Sequence, residues 1–134
     1  MQVLRNGLFI LLSAALLIAC SEGNTPEKVA QQYINAVLSN DIDGVMDTLY
    51  IPADAVEGQD ALVRGKLTML LAETSTRAIS LGGVKDISYS KTEYNDDKTR
   101  ASLVATIRYK KDGASEKREN ISLVKAEKGW KVSL

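Results

Sequence analysis

An α+β fold, with three N-terminal helices packed on a curled four-stranded antiparallel sheet, is what this 134-residue sequence predicts. Three observations carry that expectation. Apolar residues recur at helical spacing between Val29 and Leu71, the signature of amphipathic helices. From Val84 onward apolar and polar residues alternate, punctuated by turn signals at Asn95–Lys98, Asp112-Gly113 and Lys128-Gly129, as in antiparallel strands. Helices and strands segregated along a chain in this way pack with the helices on one side of the sheet.

The first residues stand apart from that pattern. Met1 to Gly7 carries one charge, Arg5, and Leu8 to Ala19 is apolar except for Ser13. A positive start and a short apolar run are the layout of a secretory signal. Twelve helical residues reach only about 18 Å, short of the hydrocarbon core of a bilayer. The run ends at Leu17-Ile18-Ala19-Cys20, which contains the only cysteine. These four residues resemble the lipobox of bacterial lipoproteins, where cysteine forms a thioether to diacylglycerol and its freed amino group is acylated, commonly with palmitate. The expectation is a signal peptide over residues 1–19, a tether over residues 20–24 lipidated at Cys20, and one domain over residues 25–134. Ser21 in place of aspartate favours an outer-membrane lipoprotein facing the periplasm.

In the domain, Thr25-Pro26-Glu27 reads as a helix start, with an N-cap hydroxyl, proline in the first turn and an acid beside it. Val29, Tyr33 and Val37, flanked by Ala30, Ile34 and Leu38, form its stripe, and Ser39-Asn40 ends it. Asp41 caps a second short helix expected to carry Val45, Met46, Leu49 and Tyr50, with Pro52 as its stop. A third helix is expected from about Gln59 to Ala78, with Leu62, Leu67, Leu70 and Leu71 on its apolar side, Gly65 weakening it and Gly82-Gly83 closing it. The strands then read as Val84–Tyr94, Arg100–Lys110, Ser115–Ala126 and Trp130–Leu134. Ala101, Leu103, Ala105, Ile107 and Tyr109 share one face of the second, Ile121 and Leu123 point inward from the third, and Trp130, Val132 and Leu134 alternate in the last.

Composition excludes much chemistry. The chain has no histidine, which removes the commonest zinc ligand, the commonest general base and every Ser-His or Cys-His nucleophile. With Cys20 consumed by lipid no disulfide remains, and no metal, cofactor or catalytic residue is assigned. The full chain holds 17 basic and 17 acidic side chains, a balance that argues against nucleic acid. Charge is divided along the chain: Cys20–Asp60 has one base against eight acids (−7) and Ala61–Leu134 has 15 against nine (+6). Solvated faces of opposite sign explain that division without a partner.

Thr25-Pro-Glu-Lys-Val, Tyr33, Ala36, Asn40-Asp-Ile-Asp and Leu49-Tyr50 resemble the opening helices of the nuclear transport factor 2-like (cystatin-like) superfamily. Lys98-Thr-Arg-Ala-Ser-Leu-Val, Leu123-Val-Lys and Gly129-Trp-Lys-Val-Ser-Leu are similar to the closing hairpins of a group of bacterial lipoproteins in it. The resemblance spans residues 25–134. It implies a cone-shaped fold around an apolar pocket, with Tyr33, Tyr50, Tyr89 and Tyr109 as candidate pocket residues. Members that are isomerases, dehydratases or cyclases place an aspartate in the cone, paired with histidine or tyrosine; from the helices the pairing to nominate here is Asp47 with Tyr33 or Tyr50, while Tyr89 and Tyr109 could face the pocket from the sheet. Glu73 and Glu93 are further carboxylates whose direction matters. Periodic aromatics usually pack in the core, so the leading expectation is a lipid-anchored binding or scaffold module for a partner protein or small apolar ligand. A small-molecule carrier and an acid–base enzyme follow in that order.

Overall fold

Thr25 opens α1 (Pro26–Leu38): its hydroxyl accepts the Lys28 N–H at 3.2 Å, and Pro26 takes the first helical position, where no amide partner is lost. The protein is described by a computed structural model covering residues 24–52, 54–55 and 57–134. The expected signal peptide and Cys20 lie outside the described residues. α1 buries Val29, Ala30 and Ile34, and Asn40 in the left-handed region (φ 56°) turns the chain into α2 (Ile42–Thr48). Asp41 caps α2 by accepting the Gly44 N–H at 3.0 Å. A side chain at Gly44 would meet that carboxylate at 2.5 Å, so the cap itself selects glycine there.

α2 is shorter than its periodicity suggests. Leu49 and Tyr50 are not helical: the chain turns extended at Leu49 (ψ 145°), and the Tyr50 N–H donates to Val132 O at 2.8 Å. Leu49 thereby bridges Val132 in parallel and covers an otherwise open strand edge.

α3 (Gln59–Ser80) follows Gly58, which sits at φ 89° and supplies no side-chain cap. It buries Leu67, Leu71 and Ala78. Leu62 and Leu70, expected on the same side, are 61% and 58% exposed. This 22-residue helix packs along α1 and α2 and turns only a narrow stripe to the core, and 67, 71 and 78 fall on it at spacings of four and seven. The C-terminus runs to Ser80 rather than Ala78, and the Gly83 N–H closes it on Ala78 O at 2.8 Å.

The expected first strand is two: β1 (Val84–Tyr89) and β2 (Glu93–Tyr94). Ser90 separates them by donating its N–H to Val104 O and accepting the Val104 N–H on its hydroxyl, both at 2.8 Å. Both lie along one edge of β3 (Arg100–Tyr109), which pairs with β4 (Lys117–Ala126), and β4 with β5 (Gly129–Ser133). Five strands therefore make a sheet four strands wide, antiparallel throughout. Its inner face carries Ala101, Leu103, Ala105, Ile107 and Tyr109 with Ile121, Leu123, Trp130 and Val132, all buried against the helices. Ile34, Val45, Leu71, Ile107 and Leu123 are the largest fully enclosed side chains.

Candidate functional site

Register decides which polar groups reach the inner face. Ala105 lies opposite Tyr89 on one side and Glu119 on the other. Glu119 has the same strand parity as the buried Ile121 and Leu123, so it points toward the helices. Its neighbour on that face, Lys117, holds it at 2.8 Å, Nζ to Oε1, with both side chains about one-third to two-fifths exposed. Tyr33 of α1 is half-buried close by: burial, and then the negative charge of Glu119, push its phenol above the usual tyrosine range. Burial alone pushes Tyr89 up. The mouth of the cone thus combines one carboxylate, one ammonium and two tyrosines. Deeper, the space between helices and sheet is filled by the apolar core.

A second feature lies on the opposite side of β5. Arg100 and Lys131 flank Val124 in register on the face away from the helices, and Lys131 Nζ donates to Asp47 O at 2.7 Å. With Lys125 and Lys128 they rim an open groove of about 690 Å³ whose apolar wall is Leu49, Tyr50 and Ile51. Glu127 is its one acid. Tyr50 and Ile51 are 44% and 41% exposed, and Tyr50 also borders a hollow of about 370 Å³ toward the start of α3. Apolar surface ringed by a few placed charges is the make-up of a recognition site.

The four candidate tyrosines therefore occupy three places. Tyr33 and Tyr89 belong to the cone mouth. Tyr50 lines the groove. Tyr109 is core, with its hydroxyl buried and unpartnered among the described residues. Asp47, Glu73 and Glu93 are exposed, so none of the carboxylates singled out in the sequence enters the cone. Glu119 is not among the residues singled out from the sequence, although extending the inward parity of Ile121 and Leu123 by one step reaches it. The groove is not reachable in that way: the periodicity puts Tyr50 on a helix, and the four cations of the groove come from three strands and a turn.

The chain is similar to a Campylobacter jejuni protein, known from a crystal structure and given the provisional name NTF2-like transpeptidase. The two are 26% identical over 82% of this chain and 98% of that one, with a TM-score of 0.73. That likeness supports an NTF2-like fold here. The intermembrane-space region of the chloroplast protein ARC6 matches over 81% of this chain and 89% of that one at 13% identity, with a TM-score of 0.41 that bears no weight. No family model and no curated protein matches in sequence.

Proposed function

We propose that this chain is a lipid-anchored binding module of the cell envelope, held through Cys20 and facing the periplasm, that takes a partner protein or small apolar ligand in the groove between Tyr50-Ile51 and the β4–β5 turn. The observation that carries the reading is the groove itself. Its apolar wall of Leu49, Tyr50 and Ile51 stands beside four cations, whereas the cone interior is occupied by the protein's own side chains. A ligand with an apolar body and an anionic end, or a protein segment of that make-up, matches such a lining. The transpeptidase name of the Campylobacter jejuni protein is not carried over. Without histidine, and with its single cysteine at the proposed acylation site, this chain cannot build a Ser-His or Cys-His nucleophile.

Anilinonaphthalene sulfonate, aromatic and anionic, is a suitable probe. It should bind saturably, and both Tyr50→Ser and Lys128→Glu should weaken it severalfold without changing the melting temperature. Binding indifferent to both substitutions would remove the groove from consideration. For the anchor, Cys20→Ser should abolish incorporation of labelled palmitate and leave an uncleaved precursor. Labelling that survives the substitution would refute the lipid attachment.

A second reading, a small acid–base enzyme of isomerase or dehydratase type, rests on Glu119 and Tyr33 at the cone mouth. Its weakness is physical: Lys117 Nζ stands 2.8 Å from Glu119 Oε1 at a partly solvated site, so a cation already occupies the carboxylate where a general base needs free access to a substrate proton.

A further inference from the structure

α3 buries one side and leaves an equally ordered apolar side in solvent. Opposite Leu67, Leu71 and Ala78 stand Leu62, Gly65, Met69, Ala72, Thr76 and Ile79. Their spacing alternates three and four, the a/d rhythm of a helix–helix seam. Leu62, Met69 and Ile79 are 61%, 73% and 75% exposed, and, apart from its chain neighbours and the adjoining turns of helix backbone, nothing described lies within 4 Å of where a Gly65 side chain would stand. Isolated exposed apolar residues are ordinary on a protein surface, but an aligned row about 26 Å long is not.

We propose that this seam is the docking surface for a second copy of the chain, α3 against α3 in antiparallel orientation about a two-fold axis. Register and charge select that occupant. With the axis between Leu70 and Leu71, Met69 faces the partner's Ala72, Gly65 faces the partner's Thr76, and Leu62 faces the partner's Ile79. Large thus meets small beside the axis, where backbones approach most closely, and the two branched residues close the ends. The same register brings Lys66 toward the partner's Glu73, and symmetry repeats the pair. Neither Lys66 nor Glu73 has an ion-pair partner within the chain among the described residues. A parallel pairing would set Lys66 across from the partner's Ala61 and forfeit both bridges. The contact is isologous and closes at two copies. One helix pair lies at the small end of stable interfaces, so the dimer is a reversible one with a dissociation constant on the order of micromolar.

Sedimentation of the full chain in detergent, from nanomolar to high micromolar concentration, tests this. The wild type should pass reversibly from monomer to dimer. Met69→Glu places a carboxylate in two symmetry-related layers and should keep the chain monomeric throughout, with an unchanged melting temperature in dilute solution because Met69 is exposed. Lys66→Glu should weaken the dimer about tenfold, and the double variant Lys66→Glu/Glu73→Lys should return it to within about threefold of the wild type. A wild type that stays monomeric assigns the face to another occupant and overturns the proposal. So does a dimer indifferent to Met69→Glu, or a double variant no tighter than the single one.

Discussion

Tyr109 shows how one atom can work against an otherwise apolar core. Its ring fills the end of the inner face at 6% exposure, and its hydroxyl is buried with no hydrogen-bond partner among the described residues. A buried unsatisfied hydroxyl costs on the order of 1–3 kcal/mol. Tyr109→Phe should therefore leave stability unchanged or raise it by up to about 1 kcal/mol in urea unfolding, the opposite of the usual loss on truncating a core side chain. Tyr33 offers a pH prediction. Its folded-state phenol is held above its unfolded value of about 10 by burial and by Glu119. Its contribution to stability is complete below pH 10 and is lost as pH rises through the higher folded value, because the unfolded chain releases its proton first. The fall in stability above pH 10 should be shallower in Tyr33→Phe, and phenolate absorbance in Glu119→Gln should show Tyr33 titrating at lower pH than in the wild type. An unmoved titration would mean that Glu119 does not face Tyr33.

Among the elements, α3 is the one whose sequence is most ambiguous. Its spacing predicts four leucines on the inner side, and the structure accepts two of them, Leu67 and Leu71. Leu71→Ala should cost about 2–5 kcal/mol through lost burial and a cavity, while Leu70→Ala should stay within about 0.5 kcal/mol. Equal effects would mean that the helix is rotated from the orientation described. The Leu49–Tyr50 segment illustrates a different force. Its composition suits a helix, but the edge of β5 offers an unpaired carbonyl at Val132, and extending the chain satisfies it. Local preference is worth tenths of a kcal/mol per residue, and an orphaned backbone group costs more than that. The opposite edge is managed otherwise: β1 carries a register irregularity between Val84 and Asp86 together with the charges of Lys85 and Asp86, which discourage further pairing.

At the scale of the molecule, the domain is closed by a contact between its two ends. Asn24 Oδ1 accepts the Trp130 N–H at 2.7 Å across 106 residues. Gly129 permits it, since a side chain there would stand 2.6 Å from that oxygen and the backbone sits at φ 121°. Removing the amide acceptor leaves a partly buried N–H alone, so Asn24→Ala should destabilise the domain by about 1–2 kcal/mol. A fragment beginning at Thr25 should melt below one beginning at Gly23 by a similar margin, and identical melting curves would show that the tie is dispensable. Both fragments should melt cooperatively, at a midpoint unmoved by chelator.

Much of this is legible in the amino-acid sequence alone. Thr25-Pro26 and Asp41 fix where two helices start because capping is decided within four residues of chain. Period-two alternation assigns the inward faces of β3 and β4, and with them the architecture, because a strand's side chains have only two directions to choose from. What lay beyond the sequence depended on partners distant along the chain. Leu49 and Tyr50 became extended because of Val132, and Leu62 and Leu70 turned outward because α3 offers the core only the stripe of Leu67, Leu71 and Ala78. The basic groove formed because Arg100, Val124 and Lys131 fell into one register. Glu119 stands between the two cases: its direction followed from parity, but its neighbours, Tyr33 and Tyr89, were fixed only when helix and sheet packed together.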